Sequence, residues 1–310
     1  MAGDAYASAG PVVRRSVPGR AKWQTSLALA RLAWGNDAWA VNNRGQSRAL
    51  AGARAAARES APAVGPAAAE VRDRLDRLGY AVVDPGYPEG LIDEIRVGYE
   101  KVVNGDAETA DMGPRIPGAV RYVINPVEKV PQLTRLLTPG LRDALDAFYG
   151  GRWEIRHVRM WRIAHLPPEE RGVHHYGNLW HCDQHPTTTL KLFVQISDGV
   201  TEQTGAFRLH PIPSTRQIMR SGYLGVGKVA GPARGKLEDP ARVVPFESPA
   251  GQAAFCNTTR CLHRAGIPLP GETRGMVQIT FRLAAESRDP GADPFASLGP
   301  DPDVAKGKVV

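Results

Sequence analysis

The stretch "TLKLFVQIS", residues 189–197, alternates two kinds of side chain. Leu190, Leu192, Val194 and Ile196 fall on one face of an extended chain, and Thr189, Lys191, Phe193 and Gln195 fall on the other. A second stretch, "RGMVQITFRL" at 274–283, repeats the pattern, with Val277, Ile279 and Phe281 against Arg274, Met276, Gln278 and Thr280. One apolar face and one mixed face are expected of a strand whose sheet is covered by helices on one side and lines a ligand cavity on the other. The pair predicts a mainly β domain with flanking helices, and turns Arg274, Gln278, Phe193 and Lys191 into the cavity.

Upstream of these strands the periodicity is helical. Val71, Leu75 and Leu78 form a stripe that Gly79 closes at a C-cap position. "YAVVD" at 80–84 reads as a short strand, and "PGYPEG" turns the chain into a helix carrying Leu91, Ile95, Tyr99 and Val102. A further helix carries Leu141, Leu145 and Phe148, and after Gly150 strand-like runs are separated by Gly/Pro turns, as in a sandwich or barrel. The organisation read from this is a domain over 66–286. It is preceded by a basic Ala/Arg-rich extension over 1–65, partly helical or disordered, and followed by a flexible tail over 287–310. In the extension, Trp23, Leu27 and Trp34 recur at helical spacing and form a packing face, for the body or for a second subunit.

Composition narrows the functional classes. The 310 residues contain no apolar run of membrane-spanning length, so no membrane role is expected. Three cysteines, Cys182, Cys256 and Cys261, fit neither a disulfide framework nor a zinc knuckle and read as small core residues. With no secretory signal at the start, a reducing, cytoplasmic setting is expected. An Arg-rich, acid-poor start also resembles an organelle transit peptide, although nothing marks a cleavage point. The net charge of +7 is concentrated: residues 1–60 hold nine basic side chains against three acidic ones, leaving about +1 for the rest. The body therefore has no basic surplus that would point to nucleic acid.

The chemistry-bearing stretch is "NLWHCDQH", 178–185. Alternate residues of an extended chain share a side, so His181 and Asp183 can chelate one ion while Cys182 points away. A His-x-Asp pair alone is common enough to be coincidence in a chain with eight histidines. A third ligand is supplied by His263 in "CNTTRCLHRAG", and Arg274 follows eleven residues later at the start of the next strand. Two histidines and one carboxylate on a β scaffold make the facial triad of non-haem Fe(II) oxygenases, which leaves positions open for a 2-oxo acid and dioxygen. An arginine fork suits the far carboxylate of such a co-substrate.

With these motifs the sequence resembles the phytanoyl-CoA dioxygenase-like family of Fe(II)/2-oxoglutarate-dependent oxygenases. The resemblance runs through "LDRLGYAVVDPGYPEGLIDEIR", "LWHCD", "KLFVQISDGVTEQTGAFRLHPIPST", "GQAAFCNTTRCLHRAG" and "RGMVQITFRLA", roughly residues 70–285. It implies a double-stranded β-helix (jelly roll, cupin-like), an iron triad of His181, Asp183 and His263, and Arg274 as the 2-oxoglutarate arginine. It implies an enzyme that oxidises a C–H bond, by default a hydroxylase, with Fe(II), 2-oxoglutarate and dioxygen as cofactor and co-substrates. Desaturation, ring formation and epimerisation stay open. The substrate implied is a small molecule, anionic or carrier-linked; no nucleic acid is expected and the oligomeric state is not set. The family's frequent "GPL…PGSH" element is "GAFRLHPIPST" here, 205–215, a departure in a loop near the site. Asp183 is intact, which disfavours halogenation.

Among the remaining candidates, Arg162 is taken as the inward arginine of "IRHVRMWRIAHL" because it alternates with Met160 and Ala164, and so joins Arg274, Gln278 and Phe193 as a cofactor-binding residue. His185 reads as a neighbour of the triad beyond a turn, facing substrate or solvent. His174 and His175 read as surface or lid residues over the cavity mouth. Two competing functions share parts of the pattern: an AlkB-like nucleic-acid demethylase, whose paired arginines are spaced differently from Arg274 and Arg282, and a non-catalytic jelly-roll binding module.

Overall fold

The computed structural model describes residues 44–60, 64–105, 109–111, 118–123, 125–173, 175–183, 185–221, 223, 229, 237–289, 291–296 and 298–299. The stripe of Trp23, Leu27 and Trp34 lies outside them, as does His174.

Helix α1 (Arg44–Ser60) precedes α2 (Pro66–Leu78), which starts on a proline and stops at Gly79 with φ 81°. That left-handed turn needs glycine, and its N–H closes on Leu75 O at 3.0 Å. Strand β1 (Tyr80–Val83), α3 (Leu91–Asn104), β2 (Thr109–Asp111), β3 (Val120–Val123) and α4 (Pro139–Tyr149) follow. Then come β4 (Trp153–Ala164), β5 (Leu190–Gln195), β6 (Arg208–Leu209), α5 (Ile212–Arg220), β7 (Val244–Pro245), β8 (Ala253–Cys256), β9 (His263–Arg264) and β10 (Thr273–Leu283).

The large sheet runs β1-β8-β5-β10-β4-β3-β2, with every neighbour antiparallel. The small sheet runs β7-β6-β9 and is extended by a bridge between His181 and His263. Two antiparallel sheets with helices on the outer side of the larger one form the jelly-roll, cupin-like architecture.

The two-faced strands are placed as the alternation requires. Leu190, Leu192, Val194, Val277, Ile279 and Phe281 are all at 0 % exposure beneath the helices, packed with Leu75, Ile95, Leu141 and Phe148. Phe193, Met276, Phe207 and Phe246 meet between the sheets. Burying so many large apolar side chains, each worth about 1.5–3 kcal/mol, fixes the register of β5 against β10.

Helix α1 lies on this body. Ala53 is buried, and the Arg54 guanidinium stacks 4.6 Å from the Phe148 ring centroid while bridging to Asp76 at 2.9 Å. At the other end of the chain Phe295 is buried in the helix-side core and Arg288 lies over Trp153. Among the described residues no helix is long and apolar enough to cross a membrane.

Candidate metal centre

The backbone assembles the ligand set. His181 N–H donates to His263 O at 3.0 Å and His263 N–H donates to His181 O at 2.9 Å, so the two residues form a directly opposed antiparallel pair. Such a pair places its side chains on the same face. Asp183, two residues on, shares that face and is anchored by its N–H donating to Thr258 O at 3.0 Å. The ligand atoms of His181, Asp183 and His263 all lie within 4.8 Å of one another.

Each imidazole is oriented from behind. His181 Nδ1–H donates to Leu179 O at 2.7 Å and His263 Nδ1–H donates to Cys261 O at 3.0 Å. Both Nε2 lone pairs are thereby turned inward, the tautomer a metal requires. Asp183 Oδ1 stands 3.6 Å from His181 Nε2 and 3.8 Å from His263 Nε2. Two ligand atoms about 2.1 Å from one ion can be at most about 4.2 Å apart, so both separations fit a shared cation. Asp183 Oδ2 is occupied separately, by Lys191 Nζ at 2.6 Å and Thr258 Oγ1 at 2.5 Å. Burial works against ionising Asp183, but Lys191 and the surrounding imidazoles outweigh it and hold the carboxyl well below its usual range. Burial, reinforced by the neighbouring His181, pushes His263 down to about 3 and keeps it neutral.

The metal-type cluster opens into a cavity of about 200 Å³ shared with Arg274, Gln278, Phe193 and Lys191. Arg274 has 0 % exposure, and Nε, Nη1 and Nη2 all lack hydrogen-bond partners. Desolvation lowers its pKa to about 10. Tyr176, whose hydroxyl donates to Ala164 O at 3.3 Å, lines the same cavity. A buried cation with three unmet donors is a site for an anion.

Arg162 is not in this cavity. The register pairs Arg162 with Gly275 and Arg159 with Gln278, so Arg159 shares the cavity face and Arg162 the opposite one. There Arg162 approaches Glu100 of α3 at 3.6 Å. The expectation failed because Met160, used to set the alternation, belongs to the helix-side core with Val158. A bulge opposite Thr280/Phe281 also breaks the parity, so that Ile155 and Val158 face the same way.

His185 accepts from Arg156 Nη1 at 3.1 Å, and burial, then the cations Lys191, Arg156 and Arg159, lower its pKa to about 4. His175 is buried and bonded to Glu170 Oε2 at 3.0 Å, which makes it a strut of its loop. His210, fully buried, bridges Ser214 Oγ and Leu237 O. The three cysteines are free and buried, and Cys182 is turned away from the ligand face, its N–H donating to the Tyr223 hydroxyl at 3.1 Å.

The residue that sequence reading missed most plainly is Gly177. Its φ is +77°, and a Cβ there would lie 3.2 Å from His181 Cε1. Thr258 was also missed, because its only signal is a backbone pairing with Asp183 that no local pattern encodes.

No family model matches the chain, and no curated protein matches it. Solved structures do. The non-haem α-ketoglutarate-dependent epimerase SnoN from nogalamycin biosynthesis aligns over 76 % of this chain and 91 % of its own, at 18 % identity and TM-score 0.51. SnoN in complex with Fe3+, α-ketoglutarate and nogalamycin RO aligns over 76 % and 96 %, at 18 % identity and TM-score 0.50. EctD from S. alaskensis, with 2-oxoglutarate and 5-hydroxyectoine, aligns over 73 % and 78 %, at 14 % identity and TM-score 0.53. The fold is the one these enzymes share. At such identities the likeness is one of architecture, and the chemistry of this chain rests on its own side chains.

Proposed function

We propose that the chain is a non-haem Fe(II)/2-oxoglutarate-dependent oxygenase of the phytanoyl-CoA dioxygenase-like kind, acting on a C–H bond of a small organic molecule. The observation that carries the reading is the conjunction in one cavity of an inward-facing two-histidine, one-carboxylate cluster and a fully buried guanidinium without a partner. Either alone is ambiguous. Together they match a metal and a dicarboxylate co-substrate that bridges from it to a fixed cation.

In this reading His181, Asp183 and His263 hold the iron, and Arg274 receives the distal carboxylate of 2-oxoglutarate. Ferrous iron with 2-oxoglutarate and dioxygen supplies an oxidant for C–H bonds, and the co-substrate leaves as succinate and CO2. The protein's part is positional. Lys191 and Thr258 occupy one Asp183 oxygen and leave the other for the metal. Phe193, Phe207 and Met276 wall the cavity with apolar surface that excludes water. Gln278, whose Nε2 donates to Thr280 Oγ1 at 2.8 Å, lines the same cavity and would border the co-substrate. The catalytic domain is assigned to 66–286, as the resemblance of the sequence indicates. The structures of SnoN with nogalamycin RO and of EctD with 5-hydroxyectoine hold small molecules, which supports a small-molecule substrate here. Nucleic-acid demethylation is disfavoured by the near-neutral body.

The test is anaerobic addition of Fe(II) and 2-oxoglutarate, read as a visible metal-to-ligand charge-transfer band, followed by succinate release from a metabolite panel under air. His181→Ala and Arg274→Ala should each abolish the band and the turnover. Succinate release that survives His181→Ala would sink the iron assignment.

A further inference from the structure

We propose that α1 is a detachable clamp on the metal centre. Docked, it steadies the segment that leads into Lys191, the partner of Asp183; released, it loosens that pair and lowers metal affinity. The inference rests on the metal assignment and adds a means of regulating the same site.

The clamp is built at the C-terminal end of α4. Gly150 caps that helix at φ 64°, and a Cβ there would lie 2.5 Å from Ala53 O, so α1 rests backbone to backbone on the cap. Arg54 ties the dock down. Its Nε donates to Phe148 O, its guanidinium stacks on the Phe148 ring, and its two Nη atoms reach Asp76 of α2 at 2.9 and 3.2 Å. The next residue of α4, Tyr149, is fully buried. Its hydroxyl donates to Thr188 O at 2.7 Å and accepts from Leu190 N–H at 3.1 Å. Helix α1 also reaches this segment directly, because Gln46 Oε1 accepts from Thr188 Oγ1 at 3.2 Å.

The segment so held, 187–190, is the approach to both groups that fix Asp183 from behind. Lys191, whose Nζ reaches Asp183 Oδ2 at 2.6 Å, follows Leu190 directly. Thr258, whose hydroxyl donates to the same oxygen, follows Asn257, whose Nδ2 donates to Thr187 O at 2.6 Å. The hold on α1 itself is mainly polar. Ala53 is the only fully buried residue among the described residues of α1, Leu50 adds a partly buried contact, and Gly45 and Gly52 weaken the helix. An element held in this way opens at a free energy well below that of global unfolding and leaves the core of the body intact. Linkage makes the coupling two-way: if release of α1 weakens metal binding, bound metal must strengthen its docking by the same factor.

The experiment uses the full-length protein as wild type, Ala53→Glu and Arg54→Met. Ala53→Glu sets a carboxylate against the C-terminal end of α4, where the helix dipole repels it, and Arg54→Met removes the polar tie. Amide exchange followed by mass spectrometry reads residues 44–60 and 187–190 with and without Co(II), and visible absorption reads Co(II) affinity. Both variants should free 44–60 and speed exchange at 187–190 in the metal-free protein. Both should lower Co(II) affinity about tenfold, the low end for contacts behind a ligand. In the wild type, saturating Co(II) should slow exchange of α1 by that same factor. In a Lys191→Met background either variant should lower affinity by markedly less than in the wild type, because the clamp acts through that residue; a general loosening of the fold would add in full. A freed α1 with unchanged Co(II) affinity, full additivity with Lys191→Met, or an α1 still protected in both variants would each overturn the proposal. A wild type that binds no Co(II) would instead refute the metal assignment. Exchange at 187–190 in the metal-free variants would still decide whether α1 clamps that segment.

Discussion

Replacing Arg274 with methionine should make the metal-free protein more stable while removing its response to 2-oxoglutarate. The guanidinium has 0 % exposure and three nitrogens without partners, and its pKa falls from the ordinary 12.5 to about 10. A fall of that size corresponds to about 3 kcal/mol disfavouring the charged form in the folded state. The sign follows from the base being protonated in both states below about pH 10: the folded state bears the penalty at every pH of ordinary assay, and only above that range is it relieved. Methionine removes the charge and leaves a modest void that takes back about 1–2 kcal/mol. The net gain is about 1–2 kcal/mol, or roughly 2–8 °C in Tm for a domain of this size. Thermal melts of wild type and Arg274→Met without ligand read this directly. Adding Co(II) and 2-oxoglutarate at about 100 times Kd should raise wild-type stability by about 2.7 kcal/mol and leave the variant unmoved by the co-substrate. A variant markedly less stable than wild type in the absence of ligands would refute the reasoning, since it would mean the guanidinium is matched within the fold. Equal shifts with 2-oxoglutarate would refute its role as the anion's partner.

Three further substitutions probe the surroundings. Lys191→Met leaves the half-buried Asp183 without its 2.6 Å partner, so the metal-free protein should lose about 3–5 kcal/mol. Its Co(II) affinity, followed by visible absorption, should fall about 10–100-fold; unchanged affinity would show that Oδ2 needs no anchor. Gly177→Ala forces a side chain into φ +77° and against the His181 ring, at about 1–2 kcal/mol of backbone strain, and should lower both Tm and Co(II) affinity. His210 is held neutral because burial lowers its pKa. The unfolded chain protonates first, so stability is lost as pH falls below about 6.5 toward the depressed folded value. Chemical denaturation of His210→Gln between pH 7 and pH 5 should show a shallower decline than wild type, and parallel curves would contradict the assignment.

What could be read in the sequence was whatever repeats at short range. The faces of β5 and β10 follow from a period of two, and the stripes of α2, α3 and α4 from a period of 3.6, so core and cavity sides were legible. His181 with Asp183 is likewise a local pair. Arg159 was not legible. Choosing it over Arg162 requires the pairing of β4 with β10, which runs unbroken from Ala164 to His157 and sets Arg159 opposite Gln278 and Arg162 opposite Gly275. Nothing in "IRHVRMWRIAHL" announces that register, because it is settled by how two distant strands fit. Thr258 and Gly177 belong to the same class: each acts on a ligand through a contact made only when loops far apart in sequence meet.

The ligand geometry depends on register more than on the ligands' own side chains. His181 faces His263 because their backbones exchange two hydrogen bonds, and a slip of one residue would bring Trp180 or Cys182 to the metal side and turn the imidazole outward. Neither strand is long enough to resist such a slip alone: β9 is two residues and His181 contributes a single bridge. The register is therefore set by the bonds on either side. Asp183 N–H reaches Thr258 O, Asn257 Nδ2 reaches Thr187 O at 2.6 Å, His210 N–H reaches Leu262 O at 2.8 Å, and Ala265 N–H reaches Gly177 O at 2.9 Å. Four connections from four different segments thus fix one bridge. That explains how a scaffold with so little regular strand at its centre can hold three ligand atoms in one small volume, and why conserving the ligands while changing these loops would be expected to abolish metal binding.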